Sequence, residues 1–174
     1  MENYERKLEM LLGDTYYKIL DETDILEKAK LLVDSIFAGV KDKSGEPYVN
    51  HLYSVSEGCK SNKTKVIGLL HDVIEDTILN YVDLLILGFS KEIALDVQLL
   101  TKTPFVDYTE YINKILNSNN RDVLEVKYQD MLNNSSEERL VNLPEKIQKR
   151  LRKKYEIINS IKDKIKELEK DDWY

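Results

Sequence analysis

The sequence predicts an all-α fold of about eight helices. Only three prolines and six glycines occur among the 174 residues. Most long segments place apolar residues at spacings of three and four, the pattern of amphipathic helices. Residues 144–170 keep this spacing throughout and predict one long C-terminal helix. Residues 123–126 are a short apolar run that is also compatible with a strand.

The predicted helices follow in order along the chain. An apolar stripe over residues 24–39 predicts a helix that Thr23 or Asp24 caps and that Gly39 ends. Residues 41–48 contain a Ser-Gly-Glu-Pro sequence and predict a loop. The remaining helices are predicted at residues 48–58, 62–76, 80–87, 91–101, 108–116 and 122–132.

Length and charge limit the organisation and the partners. A chain of this length forms one domain, and we expect an N-terminal helical extension at residues 1–21 and the main domain at residues 22–174, with the C-terminal helix included. The net charge of −6 argues against binding to nucleic acid through phosphate neutralisation. No apolar run approaches the roughly 20 residues that a membrane span needs, so no membrane association is expected.

The cysteine content and the chain start indicate the compartment. A single cysteine, Cys59, allows no disulfide within the chain and fits a reducing compartment. Cys59 could be a nucleophile, but a buried helix residue is the favoured interpretation. The charged start lacks the apolar stretch of a signal peptide. We therefore expect a cytoplasmic protein.

Two histidines, His51 and His71, are the most informative residues for function. His71 precedes Asp72, and in a helix Glu75 projects from the same face as His71, four residues later. Asp76 stands in the same relation to Asp72. Burying these groups together is costly without a cation. The alternative is a helix C-terminus with solvated acids, but negative charge is unfavourable there, which favours a metal site.

A metal needs more ligands than one helix supplies. His51 is the only other histidine and begins a predicted helix after a loop, which is a good place to direct a side chain inward. Asp130 stands among apolar helical neighbours, where a buried carboxylate needs a partner. Taken alone, Asp130 would more often be an ordinary helical acid.

The blocks around these residues resemble a known family. The order of His51, then His71-Asp72, then a distant Asp130 resembles the signature of HD-domain metal-dependent phosphohydrolases. The resemblance extends to the guanosine tetraphosphate hydrolase branch, which includes the RelA/SpoT hydrolase domain and small stand-alone enzymes. It covers roughly residues 22–160 and implies an HD-domain helical bundle. It rests on residues 44–51, 69–77, 100–102 and 126–130.

The resemblance implies a role for ten residues. The metal ligands would be His51, His71, Asp72 and Asp130. The metal in this branch is usually manganese, so a divalent cation, Mn²⁺ above all, is the expected cofactor. Glu75 and Asp76 match the acidic pair that orients or deprotonates the attacking water. Nucleotide or phosphate contacts fall on Lys43, Ser44, Lys102 and Asn134.

Other positions depart from the guanosine tetraphosphate hydrolase pattern. Asp42 replaces a basic residue that helps hold the guanine, and Phe37 and Val40 replace a histidine and a glutamine. Met131 and Asn133 replace the arginine and histidine of an Asp-Arg-Leu-His-Asn segment. The metal and water positions therefore match in full, whereas the base-recognition positions do not. The closest likeness is to small stand-alone HD phosphohydrolases.

Three functional hypotheses remain. The leading one is an enzyme that cleaves a phosphoester or pyrophosphate group from a small anionic nucleotide, with the 3′-pyrophosphate of (p)ppGpp as one candidate bond. The second is a metal-stabilised nucleotide-binding or sensor module without turnover. The third is a helical interaction protein without a metal, which must treat both histidines and Asp130 as coincidences. The long C-terminal helix also makes a homodimer conceivable.

Overall fold

In the computed structural model, residues 2–135, 145 and 155–171 are described. These residues are predominantly helical, which confirms the all-α class. The only extended pairing among them is an isolated bridge between Lys41 and Pro47. The helices are α1 (Glu2–Leu12), α2 (Asp14–Asp21), α3 (Ile25–Ile36), α4 (Val49–Gly58), α5 (Asn62–Leu70), α6 (Val73–Asp76), α7 (Tyr81–Ile86), α8 (Lys91–Leu100), α9 (Tyr108–Asn117), α10 (Arg121–Asn134) and α11 (Tyr155–Asp171).

Short polar side chains start most of these helices. The Asp24 carboxylate accepts hydrogen bonds from the backbone N–H groups of Leu26 and Glu27 at the start of α3, which settles the choice between Thr23 and Asp24. Ser61 and Thr64 form a reciprocal capping box at α5. The ambiguous residues 123–126 lie inside α10, which begins after an Asn120 cap.

The predicted helix at residues 62–76 is wrong as a continuous element. α5 ends at Leu70, α6 starts at Val73, and His71 and Asp72 lie in the turn between them. Asp72 has φ −98° and ψ −3°, in the sparsely populated bridge region where many active-site residues are found. The ring Nδ1 of His71 hydrogen-bonds to the Gly68 carbonyl, a local interaction that competes with helix continuation.

The C-terminal helix is present in its second half. α11 runs from Tyr155 to Asp171 and buries Ile158 and Ile161 in the core. The predicted part at residues 144–154 lies outside the described residues apart from residue 145.

The centre of the molecule is the packing of α4, α5 and α10. Leu52, Ile67 and Leu124 are fully buried there. The approach of α4 to α5 depends on Gly68, since a Cβ at this position would lie 3.0 Å from Ser56 Cα and 3.1 Å from Ser56 N. Such distances leave no room for a side chain without movement of the α4 backbone. Helix α4 carries His51, α5 ends just before His71, and α10 carries Asp130. The core packing therefore holds these three helices together.

The N-terminal helices share this core. Leu8 of α1 and Ile19 of α2 are fully buried within the same apolar cluster. Lys7 Nζ lies 2.6 Å from Asp83 Oδ2, a carboxylate with no exposed surface on α7. The division into residues 1–21 and 22–174 stays a prediction.

None of the described helices is both long enough and apolar enough to span a membrane.

Candidate metal centre and cavity

Four side chains from three parts of the chain converge on one point. His71 Nε2 lies 3.0 Å from Asp72 Oδ2 and 3.8 Å from Asp130 Oδ1. His51 Nε2 lies 3.7 Å from Asp72 Oδ2 and 3.4 Å from Asp130 Oδ1. The centroids of the two imidazole rings are 5.2 Å apart. The donor atoms of His51, His71 and Asp72 thus all lie within 4.8 Å of one another, and Asp130, the fourth residue predicted as a metal ligand, lies beside both histidines.

Both histidines turn Nε2 toward this point because Nδ1 has a partner elsewhere. His71 Nδ1 lies 2.7 Å from the Gly68 carbonyl oxygen, and His51 Nδ1 lies 2.7 Å from Asn133 Oδ1. Each acceptor favours a proton on Nδ1, which leaves the Nε2 lone pair directed at the cluster. Burial alone would lower the pKa of His71, but the charges of Asp72 and Asp130 outweigh it and raise the pKa to about 9.

Asp130 is held as a carboxylate by two residues of its own helix. Lys127 Nζ lies 2.7 Å from Asp130 Oδ2, and the Asn134 amide donates to Asp130 Oδ1. Burial would raise the pKa of Asp130, but the Lys127 ammonium and the two histidines hold it well below its usual range. The Lys127 ammonium also lies 5.1 Å from the centroid of the Tyr111 ring.

Lys127 was not among the residues predicted for the site. Its signal in the sequence is its spacing, because a lysine three residues before a helical aspartate lies on the same face of the helix. That signal is weak, since helical surfaces commonly carry such pairs. Only the burial of the pair distinguishes it from a solvated one, with 12% and 8% of the two side chains exposed.

Tyr48 is a second residue of the candidate site that the sequence did not predict. Its hydroxyl group lies 2.6 Å from Asp72 Oδ2 and 2.8 Å from Asp76 Oδ2, and therefore connects a candidate ligand to a candidate catalytic acid. The Phe37 ring packs against Tyr48 with the centroids 5.1 Å apart. Phe37 occupies a position where the resemblance would place a histidine, and here it supports the tyrosine.

Glu75 and Asp76 lie on the short helix α6 and face the cavity. Glu75 Oε2 accepts a hydrogen bond of 2.7 Å from the backbone N–H of Lys102. Partial burial raises the pKa of Glu75, with Asp72 and Asp76 contributing in the same direction. A raised pKa suits a carboxylate that accepts a proton near neutral pH.

A cavity of about 1090 Å³ opens over these groups. Among the described residues, its lining includes three members of the cluster, His51, Asp72 and Asp130, together with the acidic pair and the lysines. The lining also includes the apolar residues Leu11, Ile36, Phe37, Val40, Ile78, Leu100, Met131 and Ile158. Leu11 belongs to α1, so the N-terminal segment contributes to the cavity. The volume lies above the range of most small-molecule pockets and accommodates a nucleotide.

The four residues predicted to contact substrate all line this cavity. Lys43 is exposed on the loop, and Lys102 Nζ lies 3.2 Å from the Thr103 carbonyl oxygen. The Ser44 hydroxyl group donates to Asp42 Oδ1 at 2.7 Å, and the Asn134 amide donates to Asp130. Two of the four are therefore hydrogen-bonded to protein carboxylates, and substrate contact by all four stays a prediction.

Asp42 has an internal role in the loop. Its Oδ1 accepts hydrogen bonds from the backbone N–H groups of Ser44 and Glu46 as well as from the Ser44 hydroxyl group. Gly45, with φ +92°, provides the left-handed conformation that the tight turn requires. The loop is therefore ordered by the residue that replaces the expected basic one.

Comparison with known proteins addresses the fold. No protein-family model and no curated protein sequence matches the chain. Among solved structures, the chain is similar to a metazoan orthologue of SpoT, described as hydrolysing ppGpp and playing a role in starvation responses. The match has a TM-score of 0.59 at 18% identity and covers 86% of this chain and 96% of the other. The chain has an all-α HD-domain fold.

The residues of this HD-domain fold suit a divalent cation. His71 Nε2 is buried and lies 3.0 Å from Asp72 Oδ2, but the two atoms do not meet hydrogen-bond geometry, and a metal ion between them would satisfy both. Imidazole and carboxylate donors together suit manganese, iron and zinc among the common divalent cations. His51, His71, Asp72 and Asp130 would hold the ion.

Proposed function

We propose that this protein is a divalent-metal-dependent phosphohydrolase that acts on a small anionic nucleotide. The observation that carries the proposal is the convergence of two Nε2 atoms and two carboxylates beside a nucleotide-sized cavity that His51, Asp72 and Asp130 line. The HD-domain fold supports it as well. Mn²⁺ is the proposed cofactor.

The proposed division of labour follows from where the charges lie. A divalent cation in this site supplies Lewis acidity toward a phosphoryl oxygen and toward water. Glu75 and Asp76, which face the same cavity, would orient the attacking water and accept its proton. Lys43 and Lys102 would neutralise the phosphates of the substrate. Asn134 and Ser44 would add hydrogen bonds to the phosphate or the sugar.

The bond proposed for cleavage is a phosphoester or a pyrophosphate ester, and the 3′-pyrophosphate of (p)ppGpp is the first candidate. The protein of similar fold is described as a ppGpp hydrolase, which supports testing this substrate first. Phe37, Val40 and Met131 make the wall apolar at positions where the guanosine tetraphosphate hydrolases carry polar residues. Other nucleotides therefore belong in the same test.

Metal content is the first experiment. Purified protein reconstituted with Mn²⁺ and freed of excess ion should contain about one metal equivalent per chain by elemental analysis. His71→Ala should lose most of it, because the variant removes one of the four donors. Lys43→Ala, which lies on the cavity loop away from the donors, is the matched control and should keep its metal. Equal metal contents in all three proteins would contradict the assignment of the site.

Turnover is the second experiment. The Mn²⁺-loaded protein should hydrolyse at least one of guanosine tetraphosphate, common nucleotides, dinucleoside polyphosphates and cyclic nucleotides. The products are phosphate or pyrophosphate from the first two classes and nucleoside phosphates from the last two. Glu75→Gln should keep the metal but lose activity by about 100-fold or more, the usual contribution of a general base. A protein that binds metal and nucleotide but hydrolyses none of these compounds would be the sensor module instead.

A further inference from the structure

The two histidines of the metal centre are oriented by different kinds of acceptor. His71 Nδ1 contacts the backbone carbonyl of Gly68, inside α5, an acceptor that no side-chain substitution removes. His51 Nδ1 contacts a side chain, Asn133 Oδ1, at 2.7 Å. Only the second contact depends on the identity of one residue. That residue, Asn133, stands where the sequence resemblance expects a histidine.

The acceptor matters because a neutral imidazole carries one proton. With the proton on Nδ1, donated to Asn133 Oδ1, the lone pair of His51 Nε2 is free to bind a metal. Nε2 is the atom that lies 3.4 Å from Asp130 Oδ1 and 3.7 Å from Asp72 Oδ2. With the proton on Nε2, an N–H group would face the cluster and His51 could not be a ligand.

The position of Asn133 on α10 explains its contact with His51. Asn133 follows Asp130 by three residues, so the two side chains lie on the same side of the helix. α10 therefore supplies one ligand, Asp130, and reaches across to the His51 ring on α4. Asn134, the next residue, donates to Asp130 instead. Adjacent amides on one helix thus contact two different members of the cluster.

We propose that Asn133 is a positioning residue that fixes the tautomer of His51 and so completes the metal site. The proposal rests on the proposed function for its consequence, because an Nε2 lone pair matters only if a metal is bound. The tautomer itself is a property of the protein alone. The amide of Asn133 must present its oxygen, since its N–H₂ group would force the proton onto Nε2.

The test uses the fact that the chain has only two histidines. Protein labelled with ¹⁵N-histidine gives two sets of ring resonances, and long-range ¹H–¹⁵N correlation spectra distinguish the two neutral tautomers. Spectra are recorded without metal at a pH of about 10, because the carboxylates beside His71 raise its pKa to about 9 and the ring is mostly neutral only above that value. We expect the Nδ1–H form for His51 in the unsubstituted protein, because Asn133 Oδ1 lies 2.7 Å from Nδ1 whereas the carboxylate oxygens lie 3.4 and 3.7 Å from Nε2. Asn133→Leu should convert His51 to the Nε2–H form and leave His71 unchanged.

Metal affinity is the second measurement. Mn²⁺ titration of Asn133→Leu should give a dissociation constant about 10- to 100-fold higher, the usual effect of losing a partner of a ligating histidine. Asn133→Asp keeps an acceptor and should keep both the Nδ1–H tautomer and Mn²⁺ binding. Asn134→Leu should weaken Mn²⁺ binding through Asp130 without changing the His51 tautomer. Asn117→Leu, at the exposed end of α9, is the control that should change neither.

The outcomes separate the two proposals. An unchanged His51 tautomer in Asn133→Leu overturns the role of Asn133 whatever the metal affinity is. A changed tautomer in a protein that never binds Mn²⁺ supports the role of Asn133 and contradicts the proposed function. If Asn133→Leu does not fold, Asn133→Asp carries the test, because an Nε2–H tautomer in that variant would overturn the inference.

Discussion

At the scale of single residues, one phenol group connects the candidate metal centre to a candidate catalytic acid. Tyr48 contacts both Asp72 and Asp76, so these carboxylates are held in a fixed relation. A hydrogen bond to a charged group contributes about 1.5–3 kcal/mol. Tyr48 is therefore expected to affect catalysis without binding substrate or metal itself.

The first prediction concerns this residue. Tyr48→Phe removes the hydroxyl group but keeps the ring that packs against Phe37, so the fold should be retained. Turnover of the Mn²⁺-loaded protein should fall by about tenfold or more, because Asp76 loses its restraint. Metal content, measured by elemental analysis, should stay near one equivalent. Tyr53→Phe, which removes a hydroxyl group bonded to Asp34 outside the cluster, is the matched control. Equal turnover in both variants would contradict this role for Tyr48.

The second prediction concerns the single cysteine. Burial raises the pKa of the Cys59 thiol to about 12, and the nearby Glu125 adds to the effect. Its Sγ donates to the Val55 carbonyl oxygen at 3.2 Å. Folded protein at pH 8 should resist alkylation by iodoacetamide, whereas protein in concentrated urea should be alkylated completely, as read by mass spectrometry. Rapid alkylation of the folded protein would show that the thiol is accessible and would support the hypothesis that Cys59 is a nucleophile.

The same pKa gives the direction of a stability effect. The thiol titrates at about 9 in the unfolded chain and at about 12 in the folded one. Between these values the unfolded chain loses a proton that the folded chain keeps. The contribution of Cys59 to stability is therefore constant below pH 9 and declines as the pH rises above 9.

At the scale of elements, the helices were predictable and the break between them was not. Apolar spacing and capping residues such as Asp24 and Ser90 are local features, so the sequence predicts where α3 and α8 begin. The interruption at His71 and Asp72 depends on a ring-to-carbonyl contact within a buried turn. A hydrophobic period continues across that turn and gives no sign of it. The positions of the ligands were predictable, but their presentation on a turn was not.

The residues of the site likewise divide into those that the sequence predicts and those that it does not. His51, His71, Asp72 and Asp130 come together as the sequence predicts. The contacts of their partners Tyr48 and Asn133 could not be predicted, because these contacts exist only between elements that are separated in the chain. Sequence spacing detects neighbours within one helix, and it has no access to a hydrogen bond over 82 residues, the separation of His51 and Asn133.

The third prediction concerns the contact between α4 and α5. Gly68→Ala places a Cβ about 3.0 Å from the backbone of Ser56, which must move because a backbone atom cannot rotate away. The protein should lose about 1–3 kcal/mol of stability, the usual cost of overpacking, seen as a lower midpoint in urea unfolding. Mn²⁺ affinity should fall too, because α4 carries His51. Ser54→Ala, exposed on α4, is the control; an unchanged midpoint for Gly68→Ala would show that the helices tolerate separation.

At the scale of the whole molecule, an ion pair connects the N-terminal helix α1 to helix α7. Asp83 has no exposed surface, and its partner Lys7 comes from α1. Removing one member of such a pair leaves a buried carboxylate without its counter-ion.

The fourth prediction tests the ion pair between Lys7 and Asp83. Lys7→Ala should lower the free energy of unfolding by about 3 kcal/mol, measured by urea titration, because Asp83 cannot reach solvent. Asp83 would still accept the backbone N–H of Asn80, so the fold should persist. Lys18→Ala, which removes a lysine from α2, is the control and should change stability by about 0.5 kcal/mol or less. Equal effects in the two variants would indicate that α1 contributes little to the fold.

The convergence of His51 and Asp130 has a mechanical consequence. The two residues lie about 80 positions apart in the chain, so an ion that binds both acts as a reversible cross-link between distant segments. In an unfolded chain, closing a loop of this length covalently would remove conformational entropy equivalent to about 4–5 kcal/mol. A chain with one cysteine cannot form an intrachain disulfide that would provide such a cross-link. A metal ion bound here would thus stabilise the fold as well as support the reaction. The temperature of thermal unfolding would then rise with the fraction of the protein that holds the ion.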